Sequence, residues 1–231
     1  MFLLGHSCWS YLISKATGQR LHVNLPLYLA LLSGVLPDFD IYFQPYLQHH
    51  TYTHSILILG PISILLTLHY KQQGLAFSTG LLSHLLTDIL VGNIPIIYPV
   101  SNQTIGLGPT IPGLGIPSPG DTSLEGGALI LVIVYALLNN DYQLFTRPHR
   151  ESLPMSITLA SIVSLTLLFA GDNNIALTTF AFSRKALTLI SLGHIFQASL
   201  LALGTAQGLR AYLASENRGP PAAKEQYQQP R

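Results

Sequence analysis

Six apolar blocks, at residues 25–36, 55–70, 75–91, 127–138, 153–170 and 186–205, constrain this chain more than any other feature. The stretch LPMSITLASIVSLTLLFA (153–170) has no charge, and 186–204 carries only His194 and Gln197 as strongly polar side chains. A helix needs roughly 20 apolar residues to cross a bilayer core. The last two blocks meet that length, whereas 25–36 and 127–138 are too short alone. These short blocks fit half-spans, extended spans or helices buried in a bundle. Charged residues make up only 9% of the 231, against about 25% in soluble domains. Too little charge is present to cover a soluble surface, so lipid is the expected surroundings. The net charge of +1 gives no field for nucleic acid, and no basic, aromatic-rich stretch suggests that partner.

These features predict an all-α, polytopic membrane helical bundle over residues 1–205. Residues 1–14 read as a helix that stays in place, because His6 and Trp9 interrupt any signal-peptide pattern. Residues 93–126 form one long Gly/Pro-rich loop. Its interleaved apolar residues suggest a packed lid. Residues 206–231 turn polar and read as a frayed helix end followed by a disordered tail. A cytoplasmic tail would put Lys15, Arg20, Lys71, Arg147, Arg150, Arg210, Arg218, Lys224 and Arg231 on one side, leaving Arg184 and Lys185 outside. That distribution fits the positive-inside rule. It predicts a multi-pass cell-membrane protein with residues 38–54 and 92–126 at the outer face.

Nine histidines stand against eleven Lys and Arg, and histidine in lipid needs a partner, a metal or an interface. In LPDFD (36–40), Asp38 and Asp40 follow a helix-ending proline; they suit a cation or simply a helix-capping turn. HHTYTHS (49–55) puts three histidines in six residues, with Thr53 or Ser55 able to cap the next helix. In LLSHLLTDIL (81–90), His84 and Asp88 stand at i and i+4, on one helix face. They suit two ligands of one metal, as other i, i+4 motifs do, or a hydrogen bond that locks helices. His6 gains meaning only in this company, and His22, His69, His149 and His194 have no comparable partners. The mixed His and carboxylate set favours Zn, Mn or Fe over Mg or Ca. Cys8, the single cysteine, rules out an intramolecular disulfide, and no G-x-S-x-G marks a serine nucleophile.

In order and spacing these motifs resemble the YdjM-like family, described as LexA-binding, membrane-bound metal-dependent hydrolases. The matching positions are His6, Asp38, Asp40, His49, Thr53, His54, Ser55, Gly80, Ser83, His84, Asp88, Tyr98 and Pro99, within residues 1–105. His50 and Thr51 stand where the family pattern has Arg and Gly. If that Arg binds an anionic substrate group, His50 replaces it only weakly or when protonated. The set is also similar, distantly, to zinc-dependent phospholipase C and related nucleases, although a second C-terminal H-x-x-x-D/E motif is missing.

The resemblance implies hydrolysis of a phosphoester, in a lipid or at the bilayer surface. His6, Asp38, His54, His84 and Asp88 would hold a divalent metal, most simply Zn, with Mn or Fe as alternatives. Asp40 and His49 would act in catalysis. A LexA-type regulator enters only through the family description. Two other readings fit the same residues. One is a non-enzymatic metal-binding membrane protein, a transporter or sensor; the other is a structural protein whose His/Asp pairs only lock helices.

Overall fold

Small side chains recur along the first helix as Ser7, Ser10, Ser14 and Gly18, all buried. Small residues at such spacing let helix backbones approach closely, and three helices meet along this stripe. The computed structural model describes residues 3–43, 46–115, 118–172 and 184–216. Within these, α1 is Leu3–Arg20, α2 Leu27–Val35, α3 Ile56–Val91, α4 Pro119–Leu138, α5 Gln143–Thr146, α6 Ser152–Asp172 and α7 Arg184–Glu216. Short 3-10 turns cover Pro37–Phe43 and Tyr52–His54. No strand forms among the described residues beyond an isolated bridge between Ile94 and Ile105.

The α3 segment folds back on itself. Lys71 leaves helical geometry with φ 54° and ψ −127°. Ser78 Oγ donates to the Ser63 carbonyl at 3.1 Å, although a straight helix would hold those residues about 22 Å apart. A Cβ on Gly74 would collide with the Leu66 carbonyl oxygen. Residues 56–70 and 72–91 are therefore antiparallel arms of a helical hairpin. The two apolar blocks in the sequence correspond to these arms, and the gap between them to the turn.

The short blocks resolve in different ways. α2 remains a nine-residue helix, buried on much of its surface between α1 and α3. The block at 127–138 gains length at its start, because Ser118 caps the helix and Pro119 opens it. α4 thus begins within the expected loop, and the irregular stretch ends at Ser118 rather than at 126. Pro suits a first helical turn because its missing N–H has no partner there anyway. α1 likewise runs beyond residue 14 to Arg20, and His22 follows it at φ 55°. At the other terminus, helix continues through Glu216. The remainder of the expected tail, 217–231, lies outside the described residues.

The irregular stretch is pinned to its neighbours. Ile94 is buried, and its N–H and carbonyl pair with Ile105 at 3.0 Å. The start of α3 is tied to the same stretch: Ile56 N donates to the Ile96 carbonyl at 2.8 Å, and Ser55 Oγ to the Tyr98 carbonyl at 2.6 Å.

An apolar core joins α1, α2 and α6 through Tyr11, Leu31, Val35, Met155, Leu159 and Ile162. At one end of the helices, Lys15 meets Asp141 at 3.2 Å and Gln19 meets Asn139 at 2.5 Å. Gln73 reaches the Asn24 carbonyl at that same end. Large apolar side chains remain exposed on the outside, including Leu65, Leu68, Ile130 and Leu138. Among the described residues, two helical segments, Ile56–Val91 and Pro119–Leu138, are long and apolar enough to cross a membrane.

Candidate metal centre

Each of the three sequence motifs contributes to one buried cluster. Pro37 and the end of α2 turn the chain so that Asp38 and Asp40 point inward, both almost fully buried. The Tyr52–His54 turn buries His54, and Ser55 then caps α3, accepting from Leu57 N at 3.1 Å. Thr53 does not cap the helix; its hydroxyl donates to Asp40 Oδ2 at 2.5 Å. The returning arm of α3 brings His84 and Asp88 beside His54, and α1 adds His6.

Four donor atoms converge: His54 Nε2, His84 Nε2, Asp38 Oδ1 and Asp88 Oδ2. The two nitrogens are 2.9 Å apart. Asp38 Oδ1 lies 3.2 Å from His54 Nε2 and 3.5 Å from His84 Nε2. Asp88 Oδ2 lies 3.5 Å and 3.2 Å from the same two atoms. Donors at roughly 2.0–2.1 Å around a tetrahedral ion stand about 3.3 Å apart. The five measured edges bracket that separation.

The far sides of the rings assign the protons. His84 Nδ1–H donates to the Gly34 carbonyl at 2.6 Å. Thr53 gives its only proton to Asp40, so its oxygen accepts from His54 Nδ1–H at 3.0 Å. Thr87 donates to main-chain carbonyls of its own helix, and its oxygen accepts from His6 Nδ1–H at 2.8 Å. His49 Nδ1–H donates to Asp40 Oδ1 at 2.9 Å. All four imidazoles therefore bond backward through Nδ1 and turn Nε2 toward Asp38 or Asp88. Metal-binding histidines are oriented in this way by a carbonyl, hydroxyl or carboxylate behind them.

His6 Nε2 lies 3.1 Å from Asp88 Oδ1, on the other carboxylate oxygen from the one facing His54 and His84. Its ring stacks on His84 with centroids 4.0 Å apart. His49 Nε2 stands 3.9 Å from Asp38 Oδ1. Sets that can share one ion therefore overlap, as Asp38–His54–His84, His6–His84–Asp88, Asp38–Asp40–His49 and His49–His50–His54.

Charge and burial compete at the outer groups. Burial would raise the Asp38 carboxyl, but His84, His54 and His6 outweigh it and hold it well below the usual carboxylate range. Burial would lower His49, but Asp40 and Asp38 raise it. Burial, reinforced by His54 and His49, pushes His50 down to about 3. His50 is therefore uncharged at neutral pH, which removes the protonated route by which it would replace an arginine. Its backbone stands in the left-handed region at φ 61°, and its ring lies against His49 with centroids 4.0 Å apart.

A family model described as YdjM inner membrane protein matches residues 1–142. The chain belongs to that family. The match takes in every motif residue and extends through α4 to Tyr142. No curated protein and no solved structure matches the chain. In this YdjM-family chain, all seven residues singled out as ligands or catalytic groups lie in one cluster. Asp40 sits behind His49, which it orients directly, and behind His54, which it reaches through Thr53. His22, His69 and His149 are exposed and stand apart; the side chain of His194 lies outside the described residues. Sequence reasoning did not single out Gly34, whose main-chain oxygen holds His84, or Asp121 and Glu125, which are buried acids on α4. Their i, i+4 spacing was a usable signal, hidden because both fell in the expected loop.

Proposed function

We propose that this protein is a membrane-bound, metal-dependent hydrolase acting on a phosphoester at the bilayer surface. The observation that carries the reading is the inward convergence of four Nε2 atoms on two carboxylates. Each Nε2 facing a carboxylate oxygen at about 3 Å needs a positive charge, supplied by its own proton or by one cation that serves several of these nitrogens and oxygens together. Five of the six edges among His54, His84, Asp38 and Asp88 suit a tetrahedral ion, most simply Zn. Such an ion supplies Lewis acidity to a phosphoryl oxygen or to water.

The other residues divide the remaining work. Asp40 holds His49 through Nδ1, so His49 Nε2 is aimed at the cluster and can carry a proton to or from a reacting oxygen. Thr53 fixes Asp40, and Gly34 fixes His84. The phosphoester assignment is supported by the setting, where lipid headgroups present such bonds, and by the distant likeness to zinc-dependent phospholipase C.

The same reading takes the chain as multi-pass. Lys15, Lys71 and the 139–152 segment lie at the end of the helices opposite the cluster. We place that basic end in the cytoplasm, as the positive-inside rule requires, and the cluster toward the outer face.

The test is turnover of a panel of phosphomonoesters, phosphodiesters and phospholipids by protein in liposomes, stripped with chelator and reloaded with Zn, Mn or Fe. The expected result is activity that returns with metal and falls ~100-fold in His49→Ala, the scale of lost acid–base catalysis. Metal-loaded protein that turns over nothing in the panel but passes metal across the liposome would instead establish a transporter.

A further inference from the structure

Asp121 is fully buried, and neither of its carboxylate oxygens has a hydrogen-bond partner in the protein. It occupies the first turn of α4, yet it does not cap that helix. Ser118 does so, accepting from Asp121 N at 3.1 Å. A buried carboxylate with both oxygens unmatched is costly unless water or a cation satisfies it.

Its position points to the metal cluster. Gly120 N donates to the Gly113 carbonyl at 2.9 Å, and Ser118 Oγ to the same carbonyl at 2.7 Å. The same loop is pinned to the end of α3, where Leu107 N donates to the Ile89 carbonyl at 2.7 Å. A Cβ on Gly108 would collide with the Val91 carbonyl oxygen, so the contact there is backbone on backbone. These ties hold the loop that leads into α4 against the last turn of α3, the turn after Asp88. Glu125, one turn further along α4, is buried too.

At the α1 side of the cluster, His6 Nε2 and Asp88 Oδ1 stand 3.1 Å apart and face each other. Asp121 belongs to none of the sets whose ligand atoms already lie within 4.8 Å of one another. Any contact it makes with that pair runs through water.

We propose that Asp121 is a further residue of the metal centre, accepting hydrogen bonds from water on a second divalent cation held by His6 and Asp88. Asp88 then serves both ions, one through each oxygen. Buried water with several polar partners is a regular part of protein structure, and outer partners of this kind change metal affinity by roughly 10–100-fold. The inference rests on the metal-centre reading above.

The test is Zn binding at equilibrium by metal-stripped, full-length protein in detergent, for wild type, Asp121→Asn and His6→Gln. Two ions per wild-type chain are expected. Asp121→Asn should weaken the second at least tenfold and leave the first unchanged, and His6→Gln should lose the same ion from the other side. The His6 variant keeps the test decisive if Asp121→Asn fails to fold. Two ions at unaltered affinity in Asp121→Asn, or a single ion in wild type, would overturn the role of Asp121 while leaving the main site standing. No ion in wild type would overturn both.

Discussion

At the scale of single residues, the centre depends on groups that bind nothing themselves. Gly34 is the clearest. A Cβ there would collide with Ser10 Oγ and with the His6 carbonyl, so only glycine lets the end of α2 touch α1. The same residue's carbonyl orients His84. Gly34→Ala should therefore destabilise the fold by about 1–3 kcal/mol, the range for overpacking, and weaken Zn binding together with it. Thermal unfolding in detergent beside a Zn titration checks both, and an unchanged melting temperature would contradict the close packing. The side chains of the cluster were legible in the sequence, because His84 and Asp88 are polar interruptions of an apolar helix. Gly34 was not, since a main-chain acceptor has no side-chain signature. Asp121 was hidden for a different reason: the Gly/Pro-rich run before it masked a helix start that Ser118 and Pro119 mark.

At the scale of elements, the hairpin in α3 does most to assemble the centre. It returns His84 and Asp88 to the level of His54, thirty residues earlier in the chain. A continuous helix would instead carry them about 45 Å away. Ser63→Cys with Ser78→Cys should therefore form an internal disulfide on mild oxidation, read as a loss of about 2 Da in the intact mass, a shift fixed by the loss of two hydrogens. Persistently free thiols at both positions would argue for a straight helix. The two arms were readable as separate apolar blocks with Lys71 between them. The lengthening of α4 and of α1 was not, because both gains come from polar or Gly-containing sequence recruited by neighbouring helices. Tertiary packing decided those boundaries.

For the whole molecule, two ends of the helices carry different chemistry. The Lys15–Asp141 pair and the Gln19–Asn139 contact tie one end, and the His/Asp cluster occupies the other. Exposed Leu65, Leu68, Ile130 and Leu138 lie on the outside, where lipid would cover them. The apolar blocks and scarce charge made this general arrangement legible in advance. What the sequence did not show is how completely the cluster closes on itself, because its partners come from four separated segments. The most direct measurement is metal content by mass spectrometry of detergent-purified protein, wild type beside the His84→Ala/Asp88→Ala double variant. At least one Zn, Mn or Fe per wild-type chain is expected, lost in the variant. A well-folded wild type that remains metal-free even after reloading would contradict the metal centre and leave the histidines and aspartates as helix locks.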